Sequence, residues 1–162
     1  MRLRTIVAAI QVHDDLAKAV LLAARTLATY DAAIHVVSAW PVITPVAGFG
    51  AEIGAMAGQL TQETISAHRE AREADERALR SFAASIVPNA EVQMLDGEPG
   101  AAVCDFARRS NADLIVAGSH QKGFWGSLVA GAASRDLVRD APCGVFLVTK
   151  PFAEKVLLEA RA

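Results

Sequence analysis

The sequence has no large excess of charge of one sign, no long apolar run and few cysteines. Each of these shortages excludes a class of protein. Sixteen basic and eighteen acidic residues nearly cancel, so no positive field exists to capture nucleic acid. No apolar stretch approaches membrane-spanning length, and the run over residues 6–10 is too short for a signal peptide. We therefore predict a cytoplasmic protein that binds neither nucleic acid nor membrane.

The two cysteines and four histidines form no disulfide or metal motif. Cys104 and Cys143 lack CxxC spacing, which favours two buried free thiols over a disulfide. His13 and His120 follow strands that can be neighbours, but no cysteine or carboxylate stands near them at ligand spacing. We predict no metal site.

Catalytic signatures are also missing. The sequence contains no G-x-S-x-G, no Walker lysine motif and no pair of acids in a loop after a strand. Nothing therefore nominates a catalytic nucleophile. We expect a protein that is not an enzyme.

What the sequence does contain is a regular alternation of strand and helix patterns. Apolar runs predict strands over residues 5–10, 34–40, 92–95, 114–117 and 145–148. Helical spacing predicts helices over residues 16–27, 59–85, 99–109 and 127–138, with Asp14 or Asp15 capping the first. This order predicts one α/β domain: a five-stranded parallel sheet, flavodoxin-like (Rossmann-like) in its order 3-2-1-4-5, with helices on both faces.

Two regions of the chain give further expectations. Residues 42–58, with four glycines and no sustained period, predict a mobile loop. The helix over residues 59–85 is predicted to have a charged, solvated centre that includes His68. The apolar face of that helix is predicted to consist of Leu60, Ala67, Ala71, Ala78 and Phe82.

A glycine loop joins the last two predicted strands. Strand, loop, helix and strand form a βαβ unit with parallel strands, and such units bind ligands at the carboxyl ends of their strands. Gly118 lies at that end of the fourth strand. A glycine turn there either cradles phosphates with its backbone N–H groups or simply turns the chain.

The same stretch resembles a known family. A-D-L-I-V-A-G-S-H, Gly131 and A-P-C-G-V-F-L-V are similar to the carboxyl half of the universal stress protein family. Its nucleotide-binding members carry G-x2-G-x9-G-[ST]. Gly118 and Gly131 match the first and third glycines, whereas Gln121 replaces the second and Ala132 replaces the hydroxyl residue. Ser134 fits a further hydroxyl often found in the family. The resemblance implies one domain over residues 1–150, of which only the 42–58 loop lies outside the resemblance, and leaves residues 151–162 as a C-terminal tail.

The resemblance also implies where the base and ribose of a nucleotide would lie. Nucleotide-binding members have Asp just after strand one, where this chain has Gln11. An amide can still donate and accept hydrogen bonds. Val37 matches the apolar position in strand two that lines the base pocket, although any buried strand would have such a residue.

A further stretch resembles the branch of the family that lacks ATP binding. His120 and Gln121, followed by Phe124 and Trp125, are similar to that branch's H-Q-x-F-W with one extra residue, Gly123. The two aromatic side chains would plug the pocket, form a patch for a protein partner, or pack on their own helix.

From these residues we expect a non-catalytic stress-response regulatory protein with weak or no ATP binding and no cofactor. The alternative is an ATP-binding regulator with slow ATP hydrolysis. The last strand lies at the sheet edge in the predicted order, and an uncovered apolar edge needs shielding. We expect a homodimer made partly by this edge, as the resemblance also implies. The edge residues are Val145, Phe146, Leu147 and Val148.

Overall fold

The structure, a computed structural model, describes residues 3–42, 54–119 and 137–160, and for residues 54–61 only the backbone. Nine elements follow one another in these residues. They are β1 (Thr5–Ala9), α1 (Ala17–Leu27), β2 (Ala33–Trp40), α2 (Gly54–Ile86), β3 (Glu91–Asp96), α3 (Pro99–Arg109), β4 (Leu114–Gly118), β5 (Gly144–Val148) and α4 (Lys150–Glu159). Residues 137–140, just before β5, are also helical.

The five strands form one sheet in the order β3-β2-β1-β4-β5, and every neighbouring pair is parallel. This confirms the predicted fold class and strand order. In the centre of the sheet Ala9 pairs with Val37 of β2 on one side and with Ala117 of β4 on the other. The strand order reverses direction beyond β1, which places the switch point of the fold between β1 and β4.

Two apolar layers sandwich the sheet, because side chains alternate along each strand. In β1, Ile6 and Ala8 face a cluster built with α1, the last turns of α2 and α4. Val7 and Ala9 face the other cluster, under α3 and Leu137. Helices therefore cover both faces of the sheet, as predicted.

Side-chain hydrogen bonds precede two of the helices. Before α1 the Leu16 N–H donates to Asp14 Oδ1 at 2.8 Å, but Leu16 is the N-cap and has no side-chain cap, so neither Asp14 nor Asp15 caps the helix as predicted. Before α3 the Ala101 N–H donates to Glu98 Oε2 at 2.9 Å, with Pro99 in the first turn as predicted.

The start of α2 and the region after β5 differ from the predictions. α2 begins at Gly54, so the last five residues of the predicted 42–58 loop are helical. Extending an existing helix adds a hydrogen bond per residue, which offsets the glycine penalty of about 1 kcal/mol. Residues 43–53 lie outside the described residues. After β5 the chain forms α4, a helix that the sequence analysis did not predict within the C-terminal tail.

The inner face of α2 was predicted only in part, since Phe82 packs against the core but two of the predicted alanines do not. Ala67 and Ala71 are exposed, and the residues that enter the core are Leu79, Ala83 and Ile86. The apolar packing of the helix on the core is through its last two turns, where Arg25 of α1 also donates to the Ile86 carbonyl at 3.0 Å. That bond satisfies one of the carbonyls left unpaired at the end of the helix.

Two further side-chain contacts stabilise the sheet, one at the start of its central strands and one at its β5 edge. Asp113 Oδ2 accepts the main-chain N–H groups of Arg4 at 2.7 Å and Thr5 at 3.0 Å, which ties the start of β1 to β4. On α4 the Phe152 ring meets Phe146 of β5 edge-on, with centroids 5.4 Å apart. Among the described residues no helix is both long enough and apolar enough to cross a membrane.

Candidate functional site

The carboxyl ends of β1 and β4 bring two of the predicted site residues to one edge. Gln11 follows β1, and Gly118 ends β4 one position beyond the partner of Ala9. Gly118 is buried, and the next N–H, of Ser119, donates to the Val148 carbonyl at 2.9 Å. The predicted phosphate-side residues lie outside the described residues: His120, Gln121, Gly131, Ala132 and Ser134, together with Phe124 and Trp125.

Gln11 lines a small cavity of about 150 Å³ between the strand ends and α2. His13 forms another part of its wall, β2 contributes Ser38 and Trp40, and α2 contributes Leu79. The lining therefore combines polar groups with the completely buried Leu79.

Val37 does not line this cavity. It is fully buried in the cluster beneath α3, on the opposite face of β2 from Ser38. The main chains do meet, because the Ile10 N–H donates to the Val37 carbonyl at 2.9 Å. Gln11 and Val37 are thus close along the main chain, but only Gln11 lines the cavity, and the Val37 side chain packs in the cluster on the other face of the sheet.

His13 and Asp75 form a loose pair at the rim of this cavity. Nε2 of His13 is 3.9 Å from Oδ1 of Asp75, and the His13 side chain is 81% exposed. Exposed pairs at this distance contribute little to stability. Within residues 3–42, 54–119 and 137–160 no three His, Cys, Asp or Glu side chains group closely enough to hold a metal ion.

A second, larger cavity of about 360 Å³ lies beside the first, at the carboxyl ends of β2 and β3. At its base the Trp40 Nε1–H donates to Nε2 of His68 at 2.7 Å, with the rings tilted and 5.3 Å apart. His68 is therefore half-buried and hydrogen-bonded, and the prediction of a solvated side chain is wrong. The reason is that α2 turns this face toward Trp40, which offers a donor that a neutral imidazole nitrogen accepts.

Ion pairs hold the arginine at the far wall of this second cavity. Arg72 Nη2 lies 3.1 Å from Oδ1 of Asp96, and its Nη1 lies 3.8 Å from Oε2 of Glu76. Sequence reasoning missed this face of α2, although residues 65, 68, 69 and 72 follow helical spacing. The helical spacing of these residues was the available signal. A search for apolar residues did not detect it, because most of the residues at these positions are polar.

The two thiols sit on the face of the sheet opposite these cavities. Cys104 is buried and Cys143 is only half-buried, which corrects the prediction that both are buried, and both are free. Cys143 stands just before the edge strand, where less of the protein covers it. Burial raises the pKa of the Cys104 thiol, and burial also raises the pKa of Cys143. Both sulfurs are therefore poor nucleophiles at neutral pH.

The chain is similar to known proteins both in sequence and in structure. The universal stress protein family profile matches residues 2–149 of the chain. A Thermus aquaticus protein, "Universal stress protein in QAH/OAS sulfhydrylase 3'region", is 36% identical over 80 residues, which are 49% of this chain and 58% of that protein. The match thus spans little more than half the length of that relative.

Solved structures of the family share the fold. A universal stress protein in complex with cAMP gives a TM-score of 0.59 at 18% identity, over 91% of this chain and 98% of the other. The Archaeoglobus fulgidus universal stress protein in complex with dAMP gives 0.53 at 21% identity, over 91% and 98%. At these identities the structural likeness shows the fold alone. The family profile, in contrast, matches residues 2–149, which is nearly the whole chain. The chain belongs to the universal stress protein family.

Proposed function

We propose that the chain is a non-catalytic stress-response regulatory protein of its family that binds ATP weakly or not at all. The observation that carries the proposal is the cavity at Gln11, which measures about 150 Å³. Pockets that enclose small organic ligands measure about 300–1,000 Å³. The space that the described strand ends and α2 enclose is thus smaller than such a pocket, and Leu79 and Asp75 of α2 line it.

The chemistry of Gln11 supports the same proposal. The resemblance implies a carboxylate at this position in nucleotide-binding members, and a carboxylate forms charge-assisted hydrogen bonds about twice as strong as neutral ones. Gln11 offers a neutral amide instead. Its bonds to ribose hydroxyls or to a base would be correspondingly weaker.

Four of the described groups that could serve catalysis are in unfavourable settings. Cys104 and Cys143 are held as thiols by burial, which raises the pKa of each. His68 already accepts a hydrogen bond on Nε2 from Trp40. His35 is mostly buried, with Nδ1 3.2 Å from a carboxylate oxygen of Glu91. These contacts favour structural roles over general base or nucleophilic ones.

The second candidate function is adenine-nucleotide binding with slow ATP hydrolysis. Two solved relatives of the same fold are complexes with cAMP and with dAMP. Gln11 and Gly118 also lie at the strand-end edge where nucleotides bind in sheets of this order.

Titration calorimetry with ATP, together with analysis of the purified protein for bound nucleotide, separates the two candidates. We expect no co-purifying nucleotide and a millimolar or unmeasurable dissociation constant. Gln121→Gly with Ala132→Ser should then raise affinity about 10- to 100-fold, because it restores a close phosphate approach and a hydroxyl bond. Gln11→Asp should raise it less. Micromolar binding by the parent would establish the second candidate instead.

We also propose a two-fold dimer through β5. This strand lies at the edge of the sheet, and Val145, Phe146 and Leu147 are only half-buried in the single chain. Light scattering should give the dimer mass, and Val145→Lys should weaken association at least tenfold, because edge charges oppose strand pairing. A monomer at high protein concentration would count against the dimer. A protein partner near Phe124 and Trp125, and a cytoplasmic location, stay predictions.

A further inference from the structure

The larger cavity, which we call the Trp40 cleft, has no assigned occupant. It measures about 360 Å³, within the range of small-ligand pockets. It shares Trp40 and Pro41 with the cavity at Gln11 and otherwise extends away from β1 toward β3. The switch point between β1 and β4 is thus on the other side of β2, so the cleft is a separate space from the nucleotide edge.

The base of the Trp40 cleft is held in position before any ligand arrives. The indole donates to His68 on α2 at 2.7 Å. The Trp40 carbonyl accepts the Gly97 N–H at 3.0 Å, where Gly97 has a φ of 119° that favours glycine. A ring fixed at both its side chain and its main chain loses little entropy on binding, which favours affinity.

Folding leaves apolar surface exposed on both sides of this base. Val42 after β2 is 63% exposed, and Ile65 on α2 is 43% exposed. Both line the cleft together with the Trp40 ring. Apolar surface grouped in a concavity, as opposed to scattered over the protein, marks a place where an apolar group binds.

The rim carries one arginine whose charge is not neutralised. Arg72 is paired with Asp96 and Glu76. Arg69, one turn earlier on the same face, makes no ion pair or hydrogen bond with any residue that the structure describes. A guanidinium group can bind a carboxylate through two parallel hydrogen bonds, and the apolar surface beside it can bind the apolar part of the same ligand.

We infer that the Trp40 cleft binds a small aromatic or aliphatic monocarboxylic acid, with the apolar body on Trp40 between Val42 and Ile65 and the carboxylate on Arg69. The neighbouring carboxylates limit the charge of the ligand. Asp96 and Glu76 would repel a second negative charge, because among the described residues of the cleft Arg69 is the one unpaired cation. A phosphate dianion or a nucleotide is therefore the less favourable ligand.

Titration calorimetry with phenylacetate tests this inference, and phenylacetamide is the matched neutral probe. Phenylacetate should bind with a dissociation constant of about 1 mM or tighter, as expected for a ligand of its size. The amide should bind about tenfold more weakly, because it cannot form the charge-assisted pair. Equal binding of acid and amide, tighter binding of phenyl phosphate, or no heat up to about 10 mM phenylacetate would overturn the inference.

A pair of arginine variants on α2 locates the carboxylate. Arg69→Gln should weaken phenylacetate binding about tenfold, whereas Arg77→Gln, at an exposed position two turns later, should leave it unchanged. Equal urea midpoints for both variants and the parent would show that the fold is intact. Equal losses of binding in the two variants would contradict a specific role for Arg69.

The fluorescence of Trp40 also reports where the phenyl ring of phenylacetate binds. The chain has two tryptophans, so Trp125→Phe leaves Trp40 as the single indole emitter. Phenylacetate should change the Trp40 emission with the same midpoint as the calorimetric titration. Binding heat with no change in that emission would place the acid elsewhere and overturn the assignment. The result does not depend on ATP, so it stands or fails separately from the proposed function.

Discussion

The attachment of α2 through its last turns makes Leu79→Ala the most informative stability test. Leu79 is completely buried, whereas side chains nearer the middle of the helix, such as Ala67 and Ala71, are exposed. Removing three carbons loses about 2.4 kcal/mol of transfer free energy at about 0.8 kcal/mol per carbon. Incomplete collapse of the remaining space raises the expected loss in the free energy of unfolding to about 3–4 kcal/mol.

Urea unfolding followed by circular dichroism measures this loss. At an m-value of about 2 kcal/mol per molar, the midpoint should fall by about 2 M with no change in slope. Ile65→Ala is the matched control on the same helix, because Ile65 is 43% exposed and its loss should stay below about 1 kcal/mol. If Leu79→Ala costs no more than the control, the last turns of α2 are not docked as described and the reasoning fails.

Two further outcomes follow from titratable groups. The N–H groups of Arg4 and Thr5 hold the pKa of Asp113 below its ordinary value of 3.8. The stabilisation is therefore complete above that value and is lost as pH falls through the lower, folded-state pKa. Asp113→Asn should lower the urea midpoint at pH 7 and flatten its decline in acid, and an unchanged acid profile would contradict this. At pH 8 iodoacetamide should modify half-buried Cys143 before buried Cys104, as followed by peptide mass mapping. Equal rates would argue against the described burial.

The strands were predictable because each is a short apolar run buried on both faces. The sequence 114–118 (L-I-V-A-G) pairs with β1 on one side and β5 on the other, so both alternating faces had to be apolar. The order of the strands followed from the βαβ alternation and from the family resemblance. Neither argument needed a single side-chain contact.

The inner stripe of α2 could not be predicted in the same way. Its true members run through residues 65, 68, 69 and 72 to Leu79, Ala83 and Ile86. The first half of this stripe faces the Trp40 cleft instead of the core, so it carries histidine and arginine. An apolar periodicity search therefore chose the neighbouring alanine stripe. Where a helix extends beyond the sheet that it covers, apolar residues no longer mark its inner face.

The site was only partly accessible to sequence reasoning for a related reason. Motif positions such as Gln11 and Gly118 were predicted to follow neighbouring strands, and the structure places both at one edge of the sheet. They carried no information on the volume above that edge, because the volume depends on how closely α2 approaches. The hydrogen bond from Trp40 to His68 joins residues 28 positions apart, and no local pattern encodes it.

The packing of α4 has a practical consequence for work on this protein. The family match ends at residue 149, one residue before the helix begins. An expression boundary chosen from that match would remove Ala153 from the core and uncover the ring of Phe146 at the edge strand. Such a shortened protein would present fresh apolar surface beside β5, so its self-association would report on the truncation rather than on the native chain.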